Sequence, residues 1–176
     1  MFIPNENLKS QTVLDQIQSW TVNKKIELNE NKTKNMHFNF TRTKQFSTHI
    51  TLKNKIIETV KETKLLGTII TNDLKWSKNT KSLVKQAYAR MELLRKVSEF
   101  TNIPDRLQIY KMFVRSVLEK SCVVWHSSLT QKNTMDLERV QKVAIKLITN
   151  GQYSYREGLK KLKLPTLKQR REILTN

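Results

Sequence analysis

Apolar residues follow two different rhythms along the chain, and the rhythm changes near residue 75. Before that position, one helical stretch is followed by segments in which apolar and polar residues alternate. After it, apolar residues recur every three or four positions. The pattern predicts an α+β fold that is mainly α, with a helix and a small antiparallel sheet over residues 1–75 and an all-helical region over residues 76–176.

The first region begins with a predicted helix over residues 10–23, because Leu14, Ile17 and Trp20 recur at nearly helical spacing. After this helix, apolar and polar residues alternate in the way that is typical of half-buried strands. Short strands joined by polar turns would make a small antiparallel sheet. The four predicted strands cover residues 36–40, 48–52, 56–60 and 64–71.

The second region contains three longer predicted helices. The first begins near Trp76, and the third covers residues 133–149. The second has Pro104 in its first turn, where the missing N–H of proline has no helical partner to lose. Its predicted buried face consists of Leu107, Tyr110, Phe113, Val114, Val117 and Leu118.

Two short helices are predicted near the end of the sequence, on either side of Pro165. Each begins with a hydroxyl residue that is followed three positions later by a glutamate or glutamine. In such a capping box, each side chain binds the backbone N–H of the other residue. The two pairs are Ser154 with Glu157, and Thr166 with Gln169.

Charge gives the first indication of function. The chain has 33 Lys and Arg against 15 Asp and Glu, a net charge of +18. A positive field of this size favours polyanions, so nucleic acid is the expected partner. The alternative is a basic surface that only keeps the protein in solution.

A basic stretch with almost no acidic residues lies in the last third of the sequence. Between residues 139 and 171, ten Lys and Arg are accompanied by the single acidic residue Glu157. Contacts of these cations with phosphates would release counterions, so binding would depend strongly on salt. The alternative is again a solvated face. The candidate nucleic-acid-binding residues are Arg139, Lys142, Lys146, Lys160, Lys161, Lys163, Arg170 and Arg171.

Catalytic and metal-binding patterns are absent from the sequence. A polymerase needs paired carboxylates that hold two divalent ions, whereas Asp73, Asp105 and Asp136 occur singly and are interpreted as caps or solvated residues. The three histidines have no Cys or His partner at the spacing of a zinc site. The lone Cys122 is interpreted as a small buried hydrophobic residue.

The expected location is inside the cell, cytoplasmic or nuclear, without a membrane. A lone cysteine argues against a secreted scaffold held by disulfides. The longest apolar run, at residues 121–125, is far shorter than the roughly 20 residues that span a bilayer.

Several strings, taken together in their order and spacing, resemble the reverse transcriptases of non-LTR retrotransposons of the jockey-like and related LINE groups. Residues 20–40 resemble the stretch after the catalytic Asp-Asp turn of that family, and residues 64–70 with 74–76 resemble its end-of-palm hairpin. The later strings that continue the resemblance are residues 89–97, 109–110, 113–119, 124–130, 137–142, 153–155 and 167–171.

The resemblance implies roles for four residues. Lys32 or Lys34 matches the family's basic residue that assists proton transfer to pyrophosphate, as a general acid. The Leu66-Gly67 pair matches the primer grip, where glycine allows close approach of the backbone. The alternative for this pair is a tight turn or bulge. Which of the two lysines takes the role is left open.

By this resemblance, residues 1–75 are the end of the palm and residues 76–176 are the thumb with further basic helices. The chain is then a fragment of an RNA-directed DNA polymerase that is not catalytic alone, with fingers and palm absent upstream. Its partners are RNA template, RNA–DNA hybrid or DNA, and Mg²⁺ is expected only for the full-length polymerase. Two alternatives stand beside it: a free-standing helical protein that binds RNA or hybrid, and a structural or interaction protein.

Overall fold

The computed structural model describes residues 6–38 and 49–175, and within them the fold is α+β and mainly α, as predicted. The chain forms two compact units. The first unit contains the described residues as far as Lys64 together with Thr71–Leu74, and the helical unit contains Leu65–Ile70 and everything from Lys75 onward. The predicted identities of palm end and thumb stay predictions.

The first unit is built from one helix and one short β-hairpin. Helix α1 covers Glu6–Asn23 and includes the predicted helix. Strands β1, Thr51–Leu52, and β2, Lys55–Ile56, pair antiparallel. The two residues between them have positive φ, as hairpin turns with two-residue loops require. A small core consists of Ile50, Leu52 and Ile57, with Leu14 and Leu28 against it.

The predicted strands are longer than the observed ones. Residues 36–38 form no strand, and residues 39–40 lie outside the described residues, as does residue 48. Asn35 forms only a single parallel bridge with Thr59. The segment predicted as one strand over residues 64–71 is instead a hairpin, with β3 at Glu62–Leu65 and β4 at Thr68–Thr71. Over residues 6–38 and 49–175, the strands form two separate two-stranded sheets instead of one.

The break in that segment lies at its two-residue turn. Leu66 has φ +48° and Gly67 has φ +86°. A hairpin with two loop residues twists correctly when both have positive φ, which glycine adopts freely and leucine does not. Apolar residues on both sides of Gly67 led to the prediction of one strand, although a tight turn was the alternative given for the Leu66-Gly67 pair.

The helical unit contains α2, Ser77–Val97, α3, Ile103–Ile109, and α6, Gln131–Ile148, at the predicted positions. A π-helical turn, Tyr110–Arg115, joins α3 to α4, Ser116–Glu119. Helix α5, Cys122–Trp125, and a 3₁₀ turn, His126–Ser128, were not predicted. The last two helices are α7, Tyr155–Lys161, and α8, Leu167–Thr175.

The ends of the helices agree with the sequence signals. Pro104 lies in the first turn of α3, and both predicted capping boxes are formed. The core of the unit contains nineteen buried residues from all its long helices. They are Trp76, Leu83, Ala87, Met91, Leu94, Tyr110, Val114, Val117, Leu118, Cys122, Trp125, Leu137, Val140, Ala144, Ile145, Ile148, Leu162, Leu164 and Leu167.

The prediction that Phe113 is buried is wrong, because its side chain is 43% exposed. Phe113 lies in the π-helical turn, whose hydrogen bonds span five residues. Each residue there turns through less than the ~100° of an α-helix. Starting from the buried Tyr110, this wider turn leaves Phe113 short of the core and brings Val114 into it.

Helices α2 and α6 lie side by side and run parallel. Near their N-termini, the Asn133 amide donates a hydrogen bond of 3.2 Å to the Ser77 hydroxyl. Near their C-termini, Arg106 donates to the carbonyl of Ile148 at 3.3 Å and to that of Thr101 at 2.6 Å, and it also binds the Ser98 carbonyl. A buried cation at two helix C-termini is favourable because both ends carry partial negative charge.

A buried polar network joins the later helices to the π-helical turn. The Tyr110 hydroxyl donates to Gln141 Oε1 at 2.7 Å, and Gln141 Nε2 donates to the Pro165 carbonyl at 3.0 Å and to the Tyr155 hydroxyl at 3.3 Å. Tyr155 in turn donates to Glu138. Burial raises the pKa of both tyrosines, so both hydroxyls stay protonated as donors.

Candidate nucleic-acid interface

The outer face of α6 carries three of the predicted binding residues. Arg139, Lys142 and Lys146 are exposed, and their spacing places them on one side of the helix, opposite the buried Leu137 and Ala144. Arg139 also forms an ion pair of 2.8 Å with Asp136 one turn earlier. The structure therefore brings these three predicted cations together on one ridge.

Helix α7 adds further cations beside this ridge. Its glycine, Gly158, lies so close to α6 that a Cβ there would come within 2.3 Å of the Ile145 Cγ2 atom. Lys160 and Lys161 are exposed in the last turn of α7, and Lys163 is exposed just after it with φ +50°. Because α7 packs closely against α6, these lysines lie beside α6.

Two of the predicted binding residues have structural contacts instead. Arg170 forms an ion pair of 3.2 Å with Glu119, which also pairs with Arg115 at 3.2 Å. Arg171 is fully buried. It stacks on the Trp125 ring at 5.7 Å and donates from Nε to His126 Nδ1 at 3.3 Å.

Arg171 therefore does not belong to the surface cluster, which corrects the prediction. It follows the buried Leu167 by four residues, so both share the inner face of α8. The sequence shows this spacing, but Arg171 was assigned to the surface because it lies among many other basic residues. Burial lowers the pKa of the guanidinium, and its two terminal nitrogens have no hydrogen-bond partner among the described residues.

Helix α2 supplies cations that the sequence prediction missed. Lys81, Lys85 and Arg95 face α6 across a surface groove, together with Tyr88. The groove has one recess of about 300 Å³ that Asp136 and Arg139 line from α6. A second recess of about 400 Å³ is lined from α6 by Val143, Lys146 and Leu147. These residues of α2 and α6 define the α2–α6 groove.

The sequence contained a signal for the basic residues of α2 that the prediction missed. Lys81, Lys85 and Arg95 lie on the polar side of the predicted amphipathic helix, whereas Tyr88 was predicted in its apolar stripe and is instead 39% exposed. Basic residues are about as frequent in α2 as in residues 139–171, six in 21 against ten in 33, so their density did not separate the two regions. The parallel packing of α2 and α6 cannot be derived from periodicity, and only that packing places the two sets face to face.

Lys32 and Lys34 lie in the first unit, away from any group of carboxylates that could bind metal. The Lys32 backbone N–H donates to Asn29 Oδ1 at 3.1 Å, and the Lys34 ammonium pairs with Glu58. The described residues contain no group of three or more His, Cys, Asp or Glu side chains that could hold a metal ion. The general-acid role of either lysine stays a prediction.

The Leu66-Gly67 pair is the tip of the β3–β4 hairpin. Leu66 is 87% exposed at an unfavourable positive φ. Lys120 covers Gly67 so closely that a Cβ at this position would meet its Nζ at 2.0 Å. The glycine thus allows both the turn and the approach of a cation, while the primer-grip role stays a prediction.

Cys122 is buried, as predicted, and burial raises the pKa of its thiol, which disfavours the reactive thiolate.

Comparison with known proteins adds no relative: no family model matches the chain, and neither a curated protein nor a solved structure does. Among the described helices, none has the length and apolar character needed to cross a bilayer.

Proposed function

We propose that the chain is the C-terminal part of a non-LTR retrotransposon reverse transcriptase, the end of the palm and the thumb, and that its helical unit binds nucleic acid. In this proposal the partner is an RNA template, an RNA–DNA hybrid or DNA. DNA synthesis requires the fingers, the catalytic aspartates and Mg²⁺ of the full polymerase. The chain alone binds nucleic acid and does not synthesise DNA.

The observation that carries the binding proposal is the exposed basic face of α6 and α7. Five of the predicted cations are exposed there: Arg139, Lys142, Lys160, Lys161 and Lys146. Of the ion pairs between described residues, only that of Arg139 with Asp136 involves one of these five. Exposed pairs of this kind contribute at most about 1 kcal/mol, so a phosphate can displace the carboxylate.

The test is binding of the purified full chain to a fluorescent RNA–DNA hybrid over a series of salt concentrations. We expect the logarithm of the affinity to fall linearly with that of the salt concentration, because phosphate contacts release counterions. Changing Arg139, Lys142 and Lys146 together to Gln should weaken binding by about tenfold or more and reduce the slope.

A matched control removes the same charge elsewhere. Lys24, Lys61 and Lys64 are exposed and lie in the first unit. Their triple change to Gln should alter the affinity by less than about threefold, as a long-range effect of net charge alone. Equal losses in the two triple variants would mean that only net charge matters, and would contradict a binding site on α6. Primer extension by the chain alone would contradict its non-catalytic role.

A further inference from the structure

We infer that the α2–α6 groove binds a single strand of nucleic acid along its length, with Tyr88 as a stacking platform for a base. This inference rests on the proposed function and adds to it the form of the ligand and the site that selects it. The groove residues on α2 are not among the cations on which the proposed function depends.

The width of the groove favours one strand over two. Helices packed side by side have axes about 8–10 Å apart, so the depression between them admits one extended chain. A duplex is far wider and could only rest on the rims. A duplex also hides the faces of its bases, so it cannot use an aromatic side chain that lies inside a groove.

The lining of the groove has the composition that single strands require. Val84, Val143 and Leu147 are partly buried and form an apolar floor. Tyr88 is 39% exposed among them. Bases stack on aromatic side chains in sites for single strands, while basic side chains hold the backbone.

Cations line both sides of the groove. On α2 they are Lys81, Lys85 and Arg95, with Tyr88 seven residues from both Lys81 and Arg95, and on α6 Arg139 and Lys146 are seven residues apart. Seven residues correspond to two helical turns, a rise of about 10.5 Å. Because α2 and α6 run parallel, both rims repeat in the same direction. A chain of phosphates can therefore follow the groove from one recess to the other.

These cations are available to phosphates. Arg95 pairs with Glu92 and Arg139 with Asp136, each on its own helix at an exposed position, where such pairs are weak. Lys81, Lys85 and Lys146 form no ion pair with a carboxylate among the described residues. Charge complementarity thus identifies a polyanion as the occupant, and the apolar floor with Tyr88 identifies one with exposed bases.

The test uses the full chain with fluorescent oligothymidine of about 12 nucleotides and with its duplex on oligodeoxyadenosine. Tyr88→Ala should weaken single-strand binding by about fivefold or more, since stacking of one base is worth about 1–3 kcal/mol. It should leave duplex binding within twofold. Tyr88→Phe keeps the ring and should retain the affinity.

The matched control is Leu93→Ala, which removes a side chain of similar exposure from another face of α2. It should leave both affinities unchanged, and far-UV circular dichroism should show the same helicity in all variants. Equal effects of Tyr88→Ala on both ligands, or none on either, would overturn the inference.

Failure of the inference is distinguishable from failure of the proposed function. If Tyr88→Ala has no effect while the Arg139, Lys142 and Lys146 triple variant loses binding, the proposed function is supported. The inference that the groove binds a single strand is then wrong. If the chain binds neither ligand at low salt, both fail. Preference for the duplex over the single strand would overturn the groove alone.

Discussion

The two units of this chain differ in how much apolar surface they bury. Among the described residues, the core of the helical unit contains nineteen buried residues, whereas that of the first unit contains three. In the first unit, Ile17, Trp20 and Phe38 are each between 44% and 56% exposed. Periodic apolar residues thus form a packed core in the helical unit, whereas several of them are exposed in the described part of the first unit.

The difference shows that periodic apolar residues tend to be buried, but that they become buried only where another part of the protein packs against them. Helix α1 is held to the β1–β2 hairpin largely by polar contacts, such as the two hydrogen bonds of 2.9 Å between Gln11 and Thr51. Under the proposed function, the missing parts of the polymerase would supply the apolar partners.

Arg106→Met should cause the largest loss, because it leaves the carbonyls of Ile148, Thr101 and Ser98 without this donor in a buried site. We expect the helical unit to lose about 3–5 kcal/mol of unfolding free energy. Urea titrations followed by the fluorescence of buried Trp76 and Trp125 would measure it.

The control for Arg106→Met is Arg90→Met, since Arg90 is exposed and donates a single hydrogen bond of 3.0 Å to the Phe113 carbonyl. This change should cost less than about 1 kcal/mol. Comparable losses of unfolding free energy in the two variants would show that the burial of Arg106 does not increase its contribution to stability.

Leu52→Ala tests the independence of the two units. Leu52 is fully buried in the small core of the first unit. Its truncation should cost that unit about 2 kcal/mol or more and abolish the protection of its amides from hydrogen exchange. Amides of α6 should keep their wild-type exchange rates. Faster exchange in α6 would contradict the separation into two units of unequal stability.

Gly158→Ala should destabilise the helical unit, although alanine is the better helix former by about 1 kcal/mol. The new Cβ would lie within 2.3 Å of Ile145 Cγ2, and this overlap should cost about 1–3 kcal/mol in thermal or urea unfolding. Ile145→Leu removes the branch at Cβ. The double variant should therefore be less destabilised than the sum of the single changes, and strict additivity would refute the proposed clash.

The smallest effect concerns pH. Burial and the charge of Arg171 lower the pKa of His126 below its ordinary value of 6.5, and its Nδ1 must be unprotonated to accept from Arg171. The unfolded chain therefore takes up the proton first as the pH falls below about 6.5. Stability that is present above this pH should be lost progressively below it.

His126→Gln retains an acceptor for Arg171 and does not titrate. The difference in unfolding free energy between pH 7.5 and pH 5.5, read from Trp125 fluorescence, should become smaller in this variant. An unchanged difference would mean that other groups, such as the carboxylates, account for the whole pH dependence.

Much of the helical unit could be predicted because its signals are local. The stripe of α2, Pro104 in α3 and the capping box at Ser154 each depend on residues within one or two turns. The strands were predicted less well, since apolar residues lie on both sides of the two-residue turn at Leu66 and Gly67 and were assigned to one strand.

The polar residues of the interior could not be predicted in the same way. Arg106, Gln141 and Arg171 are buried because partners from distant helices satisfy or cover them, and composition alone suggests a surface position for all three. The structure agrees with the predicted exposure of Arg139, Lys142 and Lys146 on α6 and buries Arg171, while the exposed cations of α2 were not predicted. Binding of nucleic acid by any of them stays a prediction.

The π-helical turn at Tyr110–Arg115 has a consequence for how the length of this chain can vary. A turn of this kind holds one residue more than the α-helix it interrupts, while the helices on both sides keep their buried faces. A relative that is one residue shorter here, for instance without the exposed Met112, would form an unbroken α-helix over the same core. The helical segment over residues 103–119 can thus gain or lose a residue without a change in the surrounding fold.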